Sequence, residues 1–552
     1  MIFIERPFCY VEALFTIGSI GSIAHTMGSD IDYWVCIREE LFDSEKLNLF
    51  RKKLNAIETW ANNEFRTEIH FFIVDIEKVG RSYFGDSDTE SSGSAQGRLL
   101  KEEFYRTMIH VAGKLPFWTT LPVEVSKNYY HDLFIRVCPY PAKGRFIDFG
   151  DIHDIPAGEY FGASVWQMFK YLKSPFKSVL KMGLIEKYIH DKKIDRILLC
   201  NQFKNEWMNP GLAFNLTKSD PYYVLLSSLI AYYKKIDRNH PFAKLVQSCF
   251  FSKVCITDEK ELKRSAFGLK EILITQCMDE WNWKSDQIFE VGNFKNWPYE
   301  KIFSESVKIK QYMVQTYKQC RRIWVSSDAS SEKESFLTPR DRTVLGRKMI
   351  VQFSMEQTGK VETILLVAKS GISSGLSLEY SDSDKKDQKW ILMHKWRDKK
   401  NNLERNELLK KTPSIEDMGA WLIHNKIYEQ DNYIKLAPNP TFVKANDIKI
   451  LFKTMYDFFH DELKKEITND ALCSKSIVNA MFISLNFTVS RDLRSITEWN
   501  VIYRNSWGEM FCHLFTYSTG LRNETEVLNR VKKDLELAQI PEICKVFNIH
   551  NH

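Results

Sequence analysis

Asp30 and Asp32 alternate in "SDIDYWVCI" (29–37), at the head of a run rich in β-branched and aromatic residues. Such a run predicts a strand. Alternate side chains of a strand share a face, so the two carboxylates project together, about 7 Å apart. Paired hard oxygen donors suit a divalent cation, and Mg2+ takes few protein carboxylates when substrate phosphates complete its octahedron. Upstream, Gly18 and Ser19 open the glycine- and serine-rich stretch "GSIGSIAHTMGS" (18–29). Glycine there lets backbone N–H groups approach a phosphate, and a helix N-terminus favours the anion. The turn is therefore expected to lead from a strand into a helix.

Gly-Ser, ten residues, then Asp-x-Asp is similar to the spacing of the nucleotidyltransferase superfamily that includes DNA polymerase beta. That resemblance implies a third carboxylate on a neighbouring strand. "TEIHFFIVDI" (67–76) offers Glu68 and Asp75. Glu68 shares a face with His70, Phe72 and Val74, whereas Asp75 falls on the mostly apolar parity and suits the following turn. Glu68 is preferred; His70 reads as a packed or hydrogen-bonded histidine. A D-x-D after a Gly/Ser turn also occurs in ordinary loops, so the acidic strand beyond the intervening helix adds weight to the catalytic reading.

Cationic candidates lie on helical patterns. "EEFYRTMIHVAGK" (102–114) carries Arg106 and Lys114. "SPFKSVLKMGLIEKY" (174–188) carries Lys177 and Lys181, one turn apart, after a Ser174 cap and Pro175. Lys181, deeper in the apolar run, is the stronger candidate for a triphosphate clamp; Lys177 alone reads as part of a solvated face.

These residues need elements to hold them. "EALFTI" (12–17), the 30–37 run and 67–76 read as strands, and 43–65 as an amphipathic helix capped by Asp43 or Ser44. From Lys101 to about Val325 helical text dominates. "PYYVLLSSLIAYY" (221–233) is too short to span a bilayer and reads as a buried helix. From Thr343 strands are expected again, at "MIVQFSM" (349–355), "VETILLVA" (361–368) and "KWILMHKW" (389–396). Ser/Asp/Glu-rich stretches at 85–97, 326–335 and 370–389 read as loops, the second of them interdomain.

At 552 residues, several domains are expected. A net charge of +6 does not require nucleic acid, though it allows a local basic pocket. The eleven cysteines show no C-x-x-C pair, which suggests reduced thiols in a cytoplasmic protein rather than a disulfide frame or zinc site. Glu5 and Arg6 interrupt the opening apolar run, which does not read as a signal peptide.

Taken together, the motifs resemble the class I adenylate cyclases of gamma-proteobacteria. "EYFGASVWQMFK" (159–170) is similar to a family signature, with Val165, Met168 and Phe169 as mild replacements. "SPFKSVLK" (174–181), "GSAQGRLLKEEFYRTMIHVAGK" (93–114) and "YRNSWGE" (503–509) are similar to further family stretches. The resemblance implies an α+β fold: a polymerase-beta-like nucleotidyltransferase core over 1–115, a helical part of the catalytic region over 116–325, a linker over 326–340 and a C-terminal, regulatory α/β region over 341–552. It implies conversion of ATP to 3′,5′-cyclic AMP and pyrophosphate. Asp30, Asp32 and Glu68 would hold two Mg2+ ions, with Mn2+ able to substitute. Gly18, Ser19, Lys181, Arg106 and Lys114 would bind the triphosphate. Tyr160, Phe161, Trp166 and Phe169 could stack on adenine, although their spacing is also that of a buried helix face. In enteric family members the C-terminal half answers to the sugar phosphotransferase system, which implies a regulatory protein of that system as partner. Family members have a longer segment before the Gly-Ser turn and continue beyond the last residue of this chain, so a truncated or diverged member is expected. The alternatives are another nucleotidyl transfer, moving AMP to a protein, small molecule or RNA, and a degenerate cyclase acting as a regulator.

Overall fold

The computed structural model describes residues 10–551 except 27–28, 84–96, 138–143, 193–197, 209–218, 255–268, 293, 295–296, 327–338, 354–356, 365, 367–374, 382–388, 399–402, 431–433, 466 and 490–494. The chain is a mixed α+β protein that divides into two units. The first comprises residues 1–293 and 309–338, the second 294–308 and 339–552. Most of the expected linker, 326–340, and of the expected loop at 85–97 lies outside the described residues.

In the first unit, β1 (Val11–Ile17) pairs antiparallel with β2 (Ile31–Ile37), and β3 (Ile69–Asp75) lies parallel to β2. β4 (Ile109–Gly113) joins the other edge of β1, giving the order β3-β2-β1-β4. A parallel pair needs a crossover, and α1 (Ser44–Phe65) supplies it. Its N-cap is Asp43, whose carboxylate accepts the Lys46 N–H. Strand parity then sorts the side chains. Val35 and Ile37 pack with Leu54 of α1. On the opposite face Trp34 stacks on Phe104 of α2 (Gly97–Thr107), ring centroids 4.3 Å apart. Asp30 and Asp32 share the parity of Trp34. The alternation that buries the tryptophan therefore also turns both carboxylates toward the α2 side.

Four further helices matter to the site: α3 (Ala157–Lys173), α4 (Pro175–Lys192), α5 (Leu199–Met208) and α6 (Pro221–Ile236). The last is the apolar run expected to be a buried helix. Its cap is Asp220, which accepts the N–H groups of Tyr222 and Tyr223, with proline in the first turn. Among the described residues no helix is long and apolar enough to cross a membrane.

The second unit holds two four-stranded sheets. One is built from β5 (Leu376–Tyr380), β6 (Trp390–Asp398), β7 (Leu403–Thr412) and β8 (Lys435–Leu436), in the order β8-β5-β6-β7. The other contains β9 (Val478–Leu485), β10 (Ile496–Asn505), β11 (Met510–Leu521) and β12 (Ile543–Asn548), in the order β11-β10-β9-β12. Val527 and Val531, on the helix Glu524–Asp534, pack against Met481, Ile483 and Trp499 of the second sheet. "YRNSWGE" forms the β10–β11 hairpin turn. Asn505 Oδ1 accepts the N–H groups of Trp507 and Glu509, and Glu509 is paired with Lys360 at 2.8 Å. Chain reversal and one buried ion pair account for that stretch.

Four local expectations are corrected. Residues 18–26 form turns, not the start of a helix: Ser22 N–H and Oγ both bond back to the Ser19 carbonyl. "MIVQFSM" lies largely in the helix Pro339–Phe353; a short apolar run does not by itself distinguish helix from strand. "VETILLVA" has no strand among its described residues. The expected loop at 370–389 contains β5.

Candidate active site

The parallel register sets Asp32 beside His70 and Ile31 beside Ile69. Asp30, Asp32, Glu68 and His70 thus fall on one face at one end of the sheet. Glu68 precedes β3; its carbonyl accepts the Ile31 N–H at 2.9 Å, and its Oε1 lies 3.1 Å from His70 Nε2. Asp75, at the far end of β3, accepts the N–H groups of Lys78 and Glu39. It is a cap, well away from Asp30.

Gly18 closes the same end of β1. Its φ of +89° favours glycine, and a Cβ there would lie 3.8 Å from Asp32 Oδ2. The turn therefore abuts the carboxylate. Two helices anchor it. Gly18 N–H donates to Thr107 Oγ1 of α2 at 3.1 Å, and Ile23 N–H donates to Asp220 Oδ2 at 2.7 Å. With the Gly18 N–H so engaged, a phosphate contact from this pair would fall to Ser19, which is buried beside it.

Burial pushes the Asp32 carboxyl up to about 6, reinforced by the Asp30 charge and opposed by Lys177 and His70. Two carboxylates this close resist ionising together. A divalent cation would relieve that repulsion, and the donor set is all hard oxygen, as Mg2+ prefers. Among the described residues no three His, Cys, Asp or Glu side chains form a metal cage by themselves. The residues present fit a cation whose shell substrate oxygens complete.

Near Asp32 lies a cavity between α2, α3, α4 and α6, whose polar lining includes Glu103, Arg106, Gln167, Lys177, Lys181 and Tyr222. Lys181 Nζ holds Glu103 Oε2 at 2.9 Å. Burial pushes the Glu103 carboxyl up, but Lys181, Arg106 and Lys177 outweigh it and draw it down to about 2. Arg106 Nε donates to Glu102 Oε1 at 3.1 Å, an oxygen that also accepts the Cys200 N–H of α5. Arg106 and Lys181 are thus brought together, and Lys177 joins them rather than standing on a solvated face. Lys114 does not: it pairs with Glu12, at the opposite end of β1 from Gly18. Glu103 and Tyr222 carry no sequence signal beyond helix position, Glu103 one turn before Thr107 and Tyr222 just after a capping aspartate.

Two of the aromatic residues of "EYFGASVWQMFK" serve packing. Tyr160 is buried, and Phe161 stacks on Trp324 at 4.6 Å. From the same helix it is Ala163 and Gln167, one turn apart, that line the cavity.

Comparison with known proteins bears on this arrangement. Residues 4–119 match the family model "Adenylate cyclase NT domain", and residues 155–365 match "Adenylate cyclase, class-I, second domain". The chain belongs to the class-I adenylate cyclase family. The two matched segments together take in more than half of the sequence, and the sheet, the turn and the cavity all fall within them. The adenylate cyclase of Escherichia coli K12 is 29% identical over 345 residues, which is 62% of this chain and 39% of that protein. That of Yersinia intermedia is 30% identical over 346 residues, with the same coverage. That of Proteus mirabilis is 26% identical over 580 residues, 98% of this chain and 64% of its own length. The chain thus spans only part of the length of the curated relatives it matches. No solved structure matches it.

Proposed function

We propose that this chain converts ATP to 3′,5′-cyclic AMP and pyrophosphate on a polymerase-beta-like core. The ribose 3′-oxygen forms a bond to the α-phosphorus, the bond from that phosphorus to the bridging oxygen breaks, and the electron pair leaves with pyrophosphate. Asp30 and Asp32 would hold Mg2+ with substrate oxygens completing the shell, and Glu68, on the same face, would accept the 3′-OH proton. Such ions, when bound, lower the pKa of the attacking hydroxyl and neutralise the triphosphate. Ser19, in the turn against Asp32, is suited to a phosphate oxygen. Arg106, Lys177 and Lys181 offset charge that gathers on the leaving group. No covalent enzyme intermediate is needed.

The observation that carries this reading is the common face of Asp30, Asp32 and Glu68, with Gly18 so placed that a Cβ there would lie 3.8 Å from Asp32 Oδ2. A scaffold without turnover has no use for two carboxylates crowded at one site. The named relatives are adenylate cyclases. Cytoplasmic residence and a phosphotransferase-system partner for the second unit belong to the same proposal, the latter on family resemblance alone.

The test is product formation from α-labelled ATP with Mg2+ by the full chain, Asp30→Asn and Asp32→Asn. Cyclic AMP from the parent, and at least a hundred-fold less from either folded variant, is expected. A folded parent that binds ATP yet yields no cyclic AMP with Mg2+ or Mn2+ would refute the proposal.

A further inference from the structure

Buried hydroxyl groups without partners are uncommon in folded proteins, and each needs an explanation. Tyr222 has one. The residue is 4% exposed, and its Oη has no hydrogen-bond partner. It is the second residue of α6 and lines the cavity described above. Burial, then the Glu103 charge, pushes its hydroxyl up to about 12, so it stays a neutral O–H donor at physiological pH.

Two of the three cations in the lining have carboxylate partners. Arg106 holds Glu102, and Lys181 holds Glu103. The lining carries Arg106, Lys177 and Lys181 against Glu102 and Glu103, an excess of one positive charge. An unmade neutral donor beside surplus positive charge is a setting for anionic oxygen. The cavity lies within electrostatic reach of the carboxylate pair, since the charges of two of its lining residues, Lys177 and Glu103, both act on Asp32. Its remaining walls are largely apolar, with Leu99, Leu184 and Leu225 among them, which strengthens a charge-bearing hydrogen bond made inside.

Tyr222 is held in place by the same carboxylate that holds the glycine turn. Asp220 Oδ1 accepts the Tyr222 N–H at 2.9 Å, while Oδ2 accepts the Ile23 N–H at 2.7 Å. Asp220 is a positioning residue: it fixes the distance between the turn and the hydroxyl without lining the cavity itself.

We propose that this cavity is the subsite for the pyrophosphate leaving group and that the Tyr222 hydroxyl donates to one of its non-bridging oxygens. The proposal rests on the cyclase reading and names where its second product is held. No proton is transferred; the hydrogen bond strengthens as negative charge passes to the departing oxygens.

Tyr222→Phe removes the hydroxyl and nothing else. Binding of pyrophosphate with Mg2+ is measured by calorimetry on the full chain and the variant, together with kcat and KM for ATP and the melting temperature. Expected are pyrophosphate binding about ten-fold weaker, kcat/KM at least ten-fold lower, and a melting temperature unchanged or higher, because the group lost had no partner. Equal pyrophosphate binding by parent and variant, or none by the parent, overturns the subsite. The two readings separate cleanly. Tyr222-dependent pyrophosphate binding without cyclic AMP would leave the subsite standing and the cyclase fallen. Cyclic AMP with identical constants in both proteins would do the reverse. A merely structural hydroxyl predicts the melting behaviour alone.

Discussion

Asp220→Asn is the sharpest perturbation of the link between the glycine turn and α6. The carboxylate accepts three backbone N–H groups, from Tyr222 and Tyr223 on Oδ1 and from Ile23 on Oδ2. Asparagine keeps one oxygen for the helix and turns an amide donor toward Ile23. A hydrogen bond to a charged group contributes roughly 1.5–3 kcal/mol, so the turn should loosen by about 2 kcal/mol, a roughly thirty-fold change in a local opening equilibrium. Asp220→Ala also removes the helix cap, a further loss of about 1 kcal/mol. Amide hydrogen exchange resolved at Ile23 is the assay. Faster exchange at Ile23 in the asparagine variant, with the α6 amides protected as in the parent, is expected, together with a lower kcat/KM. Exchange at Ile23 within three-fold of the parent would show that the carboxylate does not hold the turn.

Two predictions concern buried charge away from the reacting groups. Lys204 on α5 is fully buried, its Nζ without a hydrogen-bond partner and 4.0 Å from the centre of the Trp118 ring, and burial pushes its pKa down to about 8. An unfolded lysine titrates near about 10.4, so between those values the unfolded chain binds more protons and stability rises with pH; Lys204→Met should flatten that rise and increase stability at pH 7, read from denaturant midpoints across the range, and an unchanged slope would count against the reasoning. In the second unit Glu416 is fully buried, and burial followed by the Glu498 charge pushes its carboxyl up to about 8. Its contribution as a neutral group is complete below about 4.3, the unfolded value, and is lost as pH rises through 8, so melting temperatures of the parent should fall across that window while those of Glu416→Gln stay level.

What the sequence made legible is local. A period of two marks β2 and β3 and sets Asp30, Asp32 and Glu68 on one parity; a capping aspartate marks the start of α1. Long-range pairing is a different matter. Lys114 and Arg106 stand eight positions apart in one motif, yet the bend from α2 into β4 sends Lys114 to Glu12 while Arg106 stays at the cavity. Lys177 looks solvated on its own helix, and only the packing of α4 near β2 gives it Asp32 as a neighbour. "MIVQFSM" fails for another reason: a short apolar run fits a buried helix as well as a strand, and tertiary context decides. Asp220 caps α6, but its second bond crosses 197 residues of chain, and no window of sequence reveals it.

That bond has a consequence for how the protein is made. Ribosomes add about 5–20 residues per second, so a chain that has just completed the glycine turn waits roughly 10–40 s before the residue that fastens it emerges. During that interval the four-stranded sheet can form and Thr107 can hold the turn, but Asp220 is not yet there to fasten it. A nascent chain released early would carry both aspartates on a correctly paired strand and still lack the bond that ties the turn to α6. Fastening of the turn is thereby timed to the arrival of α6.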